Sequence, residues 1–352
     1  MAQLLQVKAI PITTLFGRDY ANLSYRQREY VLNEAFLHWR ENGFPYSNLA
    51  EDEILREFGC LLKLDAGGIF RGNLINHSTL GLRLANNFQP QMWRVRVHGR
   101  SPVERFDEDA TLRSALEKAT KFWPNRRCWN AQCIRSMFRI LHRSRVANFR
   151  PTVAKALIER YSRTGDTVLD FSAGYGGRLL GALALNRRYL GIDPSREQID
   201  GCRKMLRSLA VVAHGKGTLY KACAEDILPL WPSRSVDLIL SSPPYYDTER
   251  YSEEPTQSYI RYPNYGIWLH EFLEVVLVNA HRLLKRHGYM VINAANVQHY
   301  AIGDDILKLG AAIFRTKPRQ LKMSMPRQPA VRAGGIGGAF RWEPVWIFQK
   351  KT

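Results

Sequence analysis

The chain has 352 residues, of which 45% are hydrophobic, and this suffices for one large domain or two ordinary ones. No stretch reaches the roughly 18 apolar residues that would span a bilayer, and the first residues lack the pattern of a secretory signal. The net charge of +19 favours a polyanionic partner, and we expect a soluble, cytoplasmic protein.

Residues 1–120 are predicted to be mainly helical. The stretch SYRQREYVLNEAFLHWREN places Tyr30, Ala35, Phe36 and Trp39 on one helical stripe, and EDEILREFGCLLKL has a similar pattern. Loops rich in Asn, Gly and Pro are expected over residues 72–102. The sequence of this region contains no catalytic motif that we recognise.

The basic segment, residues 121–150, carries eight Lys or Arg residues and no acid. Aromatic residues are interleaved with these charges, as in many nucleic-acid-binding surfaces. The alternative is a solvated helix face. The sequence favours nucleic acid as the partner, with contacts from Arg126, Arg127, Arg135, Arg139, Arg143 and Arg145.

The five cysteines are scattered and odd in number, which does not suggest a disulfide framework. Cys128 and Cys133 are the only close pair, and no second pair or histidine pair stands at ligand spacing. We therefore predict no metal site.

From about residue 148, predicted helices and strands alternate. Helices are expected at 151–161, 178–185, 195–210 and 265–288, and strands at 166–171, 188–193, 235–241, 289–295 and 343–350. Such alternation predicts a parallel sheet with helices on both faces, and ligands bind such sheets beyond the carboxyl ends of the strands. The chain is thus predicted to be α/β, with a mainly helical N-terminal region at 1–147 and a sheet domain at 148–352.

The first predicted strand ends in a glycine turn, residues 171–177, which reads FSAGYGG. Glycines there let a ligand approach the backbone, and Asp193 ends the next strand, where an acid can bind ribose hydroxyls. The spacing lacks the third glycine of a pyrophosphate-binding turn. This favours S-adenosylmethionine, with Asp226 available for the adenine amino group; the alternative is a tight turn without a ligand.

A later strand runs into the Ser-Pro-Pro-Tyr turn, residues 242–245. The Ser242 hydroxyl and the Pro243 carbonyl can accept hydrogen bonds from an amino group on a flat ring. Proline lacks an N–H, so Pro243 and Pro244 remove competing donors, and Tyr245 offers a face for stacking. The turn therefore suits an exocyclic amine held for attack on a methyl group.

With both turns present in this order, residues 148–350 resemble the S-adenosylmethionine-dependent DNA amino-methyltransferases, whose motif is Asp, Asn or Ser followed by Pro-Pro-Tyr or Pro-Pro-Phe. The resemblance implies a Rossmann-like methyltransferase sheet, and methyl transfer to N6 of adenine or N4 of cytosine in a flipped-out base of duplex DNA. It also implies a bacterial or phage enzyme, as in restriction-modification. By the same resemblance, the cofactor would contact Phe149, Asp170, Ser172, Gly174, Gly176, Asp193 and Asp226.

Two departures from that family matter. Phe171 and Ser172 stand where the family's first motif has Pro and Phe. The glycine turn precedes the Ser-Pro-Pro-Tyr turn by about 65 residues, which leaves no room between them for a recognition domain. Target recognition would then fall to residues 1–147 or to the part after the long helix. The base, adenine or cytosine, stays open.

Two further segments are candidates for function. Residues 247–265 form a long polar and aromatic stretch directly after the Ser-Pro-Pro-Tyr turn. Residues 326–342 place four glycines among basic residues, including Arg332, and could form an arm over a phosphate backbone or a plain hairpin tip. The alternatives for the whole chain are an RNA base-amine methyltransferase and a non-catalytic DNA-binding protein with a methyltransferase fold.

Overall fold

The computed structural model describes residues 12–76, 78–96, 99–141, 146–297, 299–325 and 341–351. Its α-helices are α1 (Gly17–Ala21), α2 (Tyr25–Asn42), α3 (Glu51–Lys63), α4 (Leu82–Asn87), α5 (Pro102–Phe106), α6 (Asp109–Phe122), α7 (Ala131–Leu141), α8 (Pro151–Tyr161), α9 (Gly177–Leu183), α10 (Arg196–Leu209), α11 (Ala224–Ile227), α12 (Ser258–Arg261), α13 (Tyr265–Ile267), α14 (Val275–Leu283) and α15 (Ile302–Phe314). The strands are β1 (Phe70–Arg71), β2 (Leu74–Ile75), β3 (Thr167–Asp170), β4 (Arg188–Asp193), β5 (Lys216–Lys221), β6 (Val236–Ser241), β7 (Leu284–Asn293), β8 (Arg319–Ser324) and β9 (Trp342–Gln349). In this described part, no helix is both long and apolar enough to cross a membrane.

The chain divides into two compact units. Unit 1 comprises residues 1–48 and 90–147, and unit 2 comprises residues 49–89 and 148–352. Residues 49–89 thus belong with the sheet, although they precede most of unit 2 in the sequence. The reason is burial: Phe58 and Leu61 of α3 lie in the same core as Leu157 of α8, and the Lys155 ammonium donates to the Leu64 carbonyl at 2.7 Å.

Unit 1 is built from helices, as predicted for its sequence. Ser24 caps α2 in a capping box with Gln27. The interior is aromatic: the Phe106 ring lies 5.5 Å from the Phe138 ring, and the Trp129 indole donates to the Leu116 carbonyl at 2.8 Å. A buried indole with its N–H satisfied anchors the loop before α7 to α6.

Unit 2 contains a nine-stranded sheet in the order β1-β2-β8-β9-β7-β6-β3-β4-β5. Strands β3 to β7 are parallel to their neighbours in this group, whereas β9 is antiparallel to both β7 and β8. The chain builds outward from β3 in one direction through β4 and β5, and in the other through β6 and β7. This reversal beside β3 is the switch point at which doubly wound sheets bind ligands.

Helices cover both faces of this sheet. Along the strands, side chains alternate between two cores: Val168 and Leu238 contact the core that contains α8, α9 and α10, while Leu169 and Ile239 contact the core that contains α14 and α15. Alternation of this kind follows from the two-residue period of a strand. The predicted Rossmann-like sheet with helices on both faces is confirmed.

The predicted helix at 265–288 is wrong at its end. Helical structure continues from α13 through a π-helical segment, Trp268–Glu274, and stops at Leu283, where β7 begins. Gly288 is not a helix cap: a Cβ there would come 2.8 Å from the Asp237 carbonyl of β6. The glycine allows a close approach of two strands at an irregularity in their pairing, which the sequence pattern alone did not distinguish from a helix end.

Candidate active site

The glycine turn joins the end of β3 to the start of α9. Gly174 and Gly176 have φ of +55° and +81°, a left-handed backbone that glycine adopts without strain. Gly177 is held more closely still, because a Cβ there would lie 1.8 Å from the Phe149 carbonyl. The turn therefore packs directly against the residues that precede α8, which include Phe149.

Asp170 is the most highly bonded side chain of the site and is fully buried. One carboxylate oxygen accepts from the Arg178 guanidinium and the Tyr189 hydroxyl, each at 2.6 Å, and the other accepts from the Ser241 hydroxyl at 2.8 Å and the Ser172 amide at 3.2 Å. These donors come from β4, β6, α9 and the glycine turn. Asp170 thus joins the strand ends, and its oxygens are already occupied by protein donors.

Asp193, the predicted ribose-binding acid, is also buried, with 7% of its surface exposed. Its two oxygens accept from the Gly174 amide at 2.9 Å and the Ser195 amide at 3.0 Å. Burial raises the pKa of Asp193 to about 6, although these two N–H groups lower it in part. Asp193 therefore joins the glycine turn to the start of α10.

The residues just before α8 hold the glycine turn from its other side. Asn148 accepts from the Gly177 amide at 3.0 Å and donates to the Tyr175 carbonyl at 2.9 Å. The Arg178 guanidinium lies 5.2 Å from the centre of the Phe149 ring. Arg150 donates to the Ser324 carbonyl at 2.8 Å. Residues 148–150, which include the predicted cofactor contact Phe149, therefore support the turn through contacts within the protein.

Tyr175, at the centre of the glycine turn, has a buried hydroxyl with no hydrogen-bond partner among the described residues. Its ring meets the Tyr251 ring edge-on, with the centroids 6.0 Å apart. A buried polar group without a partner carries a desolvation cost and suits a bound polar ligand. Together with the open backbone at Gly174, this fits the methionine end of a cofactor.

The Ser-Pro-Pro-Tyr turn leaves the sheet next to the glycine turn. Strands β3 and β6 are neighbours, and the Ser241–Asp170 hydrogen bond joins their ends. Ser242 and Tyr245 are half-buried, and the Tyr245 hydroxyl accepts from the Ala295 amide at 3.3 Å. Burial raises the pKa of Tyr245. A serine hydroxyl carries two lone pairs, so the Ser242 oxygen can accept a hydrogen bond from an incoming donor.

Asp226, predicted to receive adenine, is exposed and paired. The Arg261 guanidinium holds its two oxygens at 2.7 and 3.1 Å, and also contacts Glu225 at 2.8 Å. Any adenine contact by Asp226 would share the carboxylate with Arg261. Cys223, Glu225 and Asp226 lie close enough together to hold a metal ion, but the positive charge of Arg261 among them disfavours a cation.

The 247–265 segment contacts the carboxyl ends of β4 and β5. Glu254 accepts from the Arg196 amide at 3.2 Å and lies 3.9 Å from the Lys221 ammonium. The Thr256 hydroxyl donates to the Pro194 carbonyl at 3.5 Å, and Arg261 pairs with the acids described above. The segment therefore lies beside the expected position of an adenosine.

Sequence reasoning missed three contributors: Arg178, Tyr189 and Ser241. Arg178 stands out, since it is a charge in the apolar stretch after the glycines, and a buried charge implies a partner. Tyr189 and Ser241 carry no such signal, because a single polar residue at a strand end is ordinary.

In unit 1, the predicted nucleic-acid-binding arginines separate into two groups. Arg126 and Arg127 are exposed and line a cavity of about 330 Å³ with Phe16, Trp123 and Asn125. In contrast, Arg135 donates to the Pro45 carbonyl at 2.6 Å, and the Arg139 guanidinium stacks 5.1 Å from the Trp93 ring. Three other predicted contacts lie outside the described residues: Arg143, Arg145 and Arg332.

No protein-family model and no curated protein matches the chain. Among solved structures, it is similar to TrmN from Thermus thermophilus (17% identity, TM-score 0.37, 57% of this chain and 48% of that one). It is also similar to the precorrin-6y C5,15-methyltransferase from Geobacter metallireducens (16%, 0.35, 56% and 87%) and to a methyltransferase from Pyrococcus furiosus (14%, 0.36, 57% and 83%). This chain spans less than half of the Thermus protein. These likenesses are too distant to assign an activity.

Proposed function

We propose that this chain transfers a methyl group from S-adenosylmethionine to the exocyclic amine of a nucleobase, N6 of adenine or N4 of cytosine in DNA. One observation carries the proposal. The glycine turn and the Ser-Pro-Pro-Tyr turn leave neighbouring strands at the switch point of the sheet, joined by the Asp170–Ser241 hydrogen bond. A cofactor at the first turn and an amine at the second would meet there.

The site fits S-adenosylmethionine, which supplies an electrophilic methyl group on a sulfonium centre. Gly174 and Gly176 would let its methionine end approach the backbone, and the Tyr175 hydroxyl has no other partner among the described residues. The ribose would lie near Asp193 and the adenine between the start of α10 and the 247–265 segment. The Asp170 and Asp193 carboxylates at the ends of β3 and β4 accept from the Ser172 and Gly174 amides, and so hold the glycine turn in shape before the cofactor binds.

On the substrate side, an aromatic amine is a poor nucleophile because its lone pair is delocalised into the ring. The Ser242 oxygen and the Pro243 carbonyl would accept its two hydrogens, which holds the nitrogen in line with the methyl group. Tyr245 would stack on the base. A base in a duplex has to leave the stack to reach this depth.

Arg126 and Arg127 support a nucleic acid as the substrate. Both are exposed, neither has an ion-pair partner among the described residues, and both line a cavity with Trp123 and Phe16. Guanidinium groups bind phosphates, and aromatic rings stack on bases. Single-stranded DNA and RNA share this chemistry with duplex DNA, so the substrate test includes all three.

The proposal is tested by incubating the purified chain with methyl-labelled S-adenosylmethionine and duplex DNA, single-stranded DNA or RNA. The nucleosides are then digested and identified by mass spectrometry. We expect N6-methyladenine or N4-methylcytosine in duplex DNA, formed much more slowly in Ser242→Ala. Ser208→Ala, an exposed serine on α10, is the matched control. Label found only in RNA would support the alternative of an RNA base-amine methyltransferase. Label in none of the three nucleic acids would contradict methyl transfer to a nucleobase.

A further inference from the structure

The cavity of unit 1 is lined by the turn before α7, by the start of that helix and by one residue that precedes α1. The lining residues are Phe16, Trp123, Asn125, Arg126, Arg127, Asn130, Gln132, Cys133 and Ser136. Its volume of about 330 Å³ lies near the lower end of the range for ligand pockets, roughly 300–1,000 Å³. A cavity of this size suits a small ligand, such as a single nucleotide.

The turn before α7 is held in a fixed shape by the rest of unit 1. The Gly17 amide donates to the Arg126 carbonyl at 3.2 Å. The Asn130 side chain accepts from the Cys133 amide at 2.8 Å and donates to the Arg127 carbonyl at 2.8 Å. The backbone that carries the two arginines is therefore fixed before a ligand arrives, which lowers the entropy cost of binding.

Four polar side chains of the cavity have no hydrogen-bond or ion-pair partner within the described part of the chain: Asn125, Arg126, Arg127 and Gln132. All four are exposed. None of the described residues that line the cavity is acidic, so no carboxylate in the lining neutralises the two guanidinium groups. Guanidinium groups in this state suit a phosphate, which they can bind with two hydrogen bonds each.

The Trp123 indole offers an aromatic face beside these charges. Its ring is half-buried, and the neighbouring Phe122 ring lies 6.0 Å away at a tilt of 54°, so these two rings are not stacked face to face. A nucleobase can stack on such a ring. The side-chain amides of Asn125 and Gln132 both donate and accept hydrogen bonds, as the polar edge of a base requires. The cavity thus combines a stacking face, amides and two cations.

We propose that this cavity binds one unpaired nucleotide of the nucleic-acid substrate, with its base on Trp123 and its phosphate at Arg126 and Arg127. The choice of a nucleic acid rests on the proposed function. In a duplex, each base is covered by its neighbours and has no free face, so the site selects a nucleotide that has left the stack. A free nucleotide carries the same groups, and the test therefore includes one.

The test measures binding of fluorescein-labelled oligonucleotides by anisotropy, without S-adenosylmethionine. Two single strands of the same length and the same number of phosphates are compared, an oligothymidylate and an abasic strand. In Trp123→Leu, affinity for oligothymidylate should fall by about 5- to 150-fold, the range for loss of one stacked base. Affinity for the abasic strand should change by less than about twofold. Arg126→Gln with Arg127→Gln should weaken binding of both strands by the same factor, because their phosphates are identical.

Phe122→Leu is the matched control. Phe122 is the neighbouring aromatic residue, is 39% exposed and does not line the cavity, so this variant should bind both strands as wild type does. Trp123→Phe keeps an aromatic face and should recover most of the affinity for oligothymidylate, which separates a lost stack from a disturbed fold. On duplex DNA of the same length, Trp123→Leu should bind as tightly as wild type.

Three results would overturn the proposal. Trp123→Leu could bind oligothymidylate as wild type does, it could lose affinity for both strands equally, or Phe122→Leu could lose as much as Trp123→Leu. Thymidine monophosphate that binds the cavity as tightly as the oligothymidylate would assign it to a free nucleotide and would also overturn the proposal.

The two proposals fail separately, because binding is measured without cofactor. The expected binding pattern without methyl transfer to any nucleic acid would reject the proposed function. Methyl transfer to DNA, with Trp123→Leu binding both strands as wild type does, would reject the nucleotide site alone.

Discussion

Two pairs of charged residues, one in each unit, differ in burial and in pairing. At the sheet edge of unit 2, Asp170 and Arg178 are buried and bonded to each other and to surrounding groups. In unit 1, Arg126 and Arg127 are exposed beside a cavity, with no ion-pair partner among the described residues. A buried, paired charge holds structure, whereas an exposed, unpaired charge is available to a partner. Residue type alone does not separate these uses; burial and pairing do.

The largest effect should come from the most buried charge. Asp170→Ala leaves the Arg178 guanidinium buried without its carboxylate, and we expect a loss of about 3–5 kcal/mol in the free energy of unfolding. Tyr189→Phe removes one of the four donors to Asp170 and should cost about 1 kcal/mol. Urea denaturation followed by circular dichroism gives both values. An Asp170→Ala protein as stable as wild type would contradict the conclusion that this buried, paired charge stabilises the fold.

Asp193 is a further test of the difference between buried and exposed charges. It was predicted to bind a ligand, yet it is buried and accepts hydrogen bonds from within the protein. Asp193→Ala removes the acceptor of the Gly174 and Ser195 amides, so we expect a loss of about 1–3 kcal/mol in stability. Affinity for S-adenosylmethionine should fall with it, as measured by calorimetry. Asp200→Ala, which changes a half-exposed acid of α10 that pairs only with Arg203 among the described ion pairs, is the control. If affinity for S-adenosylmethionine fell while stability stayed unchanged, Asp193 would act as a ligand contact and not as a structural link between the glycine turn and the start of α10.

The smallest effect on the fold should come from the exposed arginines. Arg126→Gln with Arg127→Gln should leave the free energy of unfolding unchanged and weaken nucleic-acid binding. If each arginine contacts one phosphate, the slope of log affinity against log salt should become less steep by about 1.8 on duplex DNA. Arg26→Gln, at an exposed position on α2, is the matched control. An unchanged slope would remove these two residues from the binding surface.

The sequence predicted the sheet well because the hydrophobic periodicity of each segment and the alternation of strands and helices can both be read along the chain. The helix at α8 and the strand at β4 have the predicted bounds, and the parallel order brought Asp170, Asp193 and Ser242 to one edge. The helix at 265–288 ended early because the role of Gly288 depends on Asp237 of a neighbouring strand. The sequence did not predict that residues 49–89 pack within unit 2, because a helical stripe of apolar residues predicts burial without identifying the partner.

The candidate site was predictable in its location but not in its bonding. Ser242 and Tyr245 stand out as a motif, whereas the use of Asp170 depends on donors from three other elements. The basic segment shows the same limit. Its arginines look equivalent in sequence, yet Arg135 reaches the Pro45 carbonyl while Arg126 faces a cavity. Pairing across distant parts of the chain cannot be deduced from composition.

The most direct test of the central claim compares cofactor binding with methyl transfer in Ser242→Ala. The claim is that the Ser-Pro-Pro-Tyr turn serves the amine and the glycine turn serves the cofactor. Calorimetry should give a wild-type affinity for S-adenosylmethionine. The single-turnover rate of transfer to the nucleic acid that the wild-type protein methylates should fall by about 10- to 150-fold, because one hydrogen bond is worth roughly 1.5–3 kcal/mol. Transfer at the wild-type rate in Ser242→Ala would contradict the account.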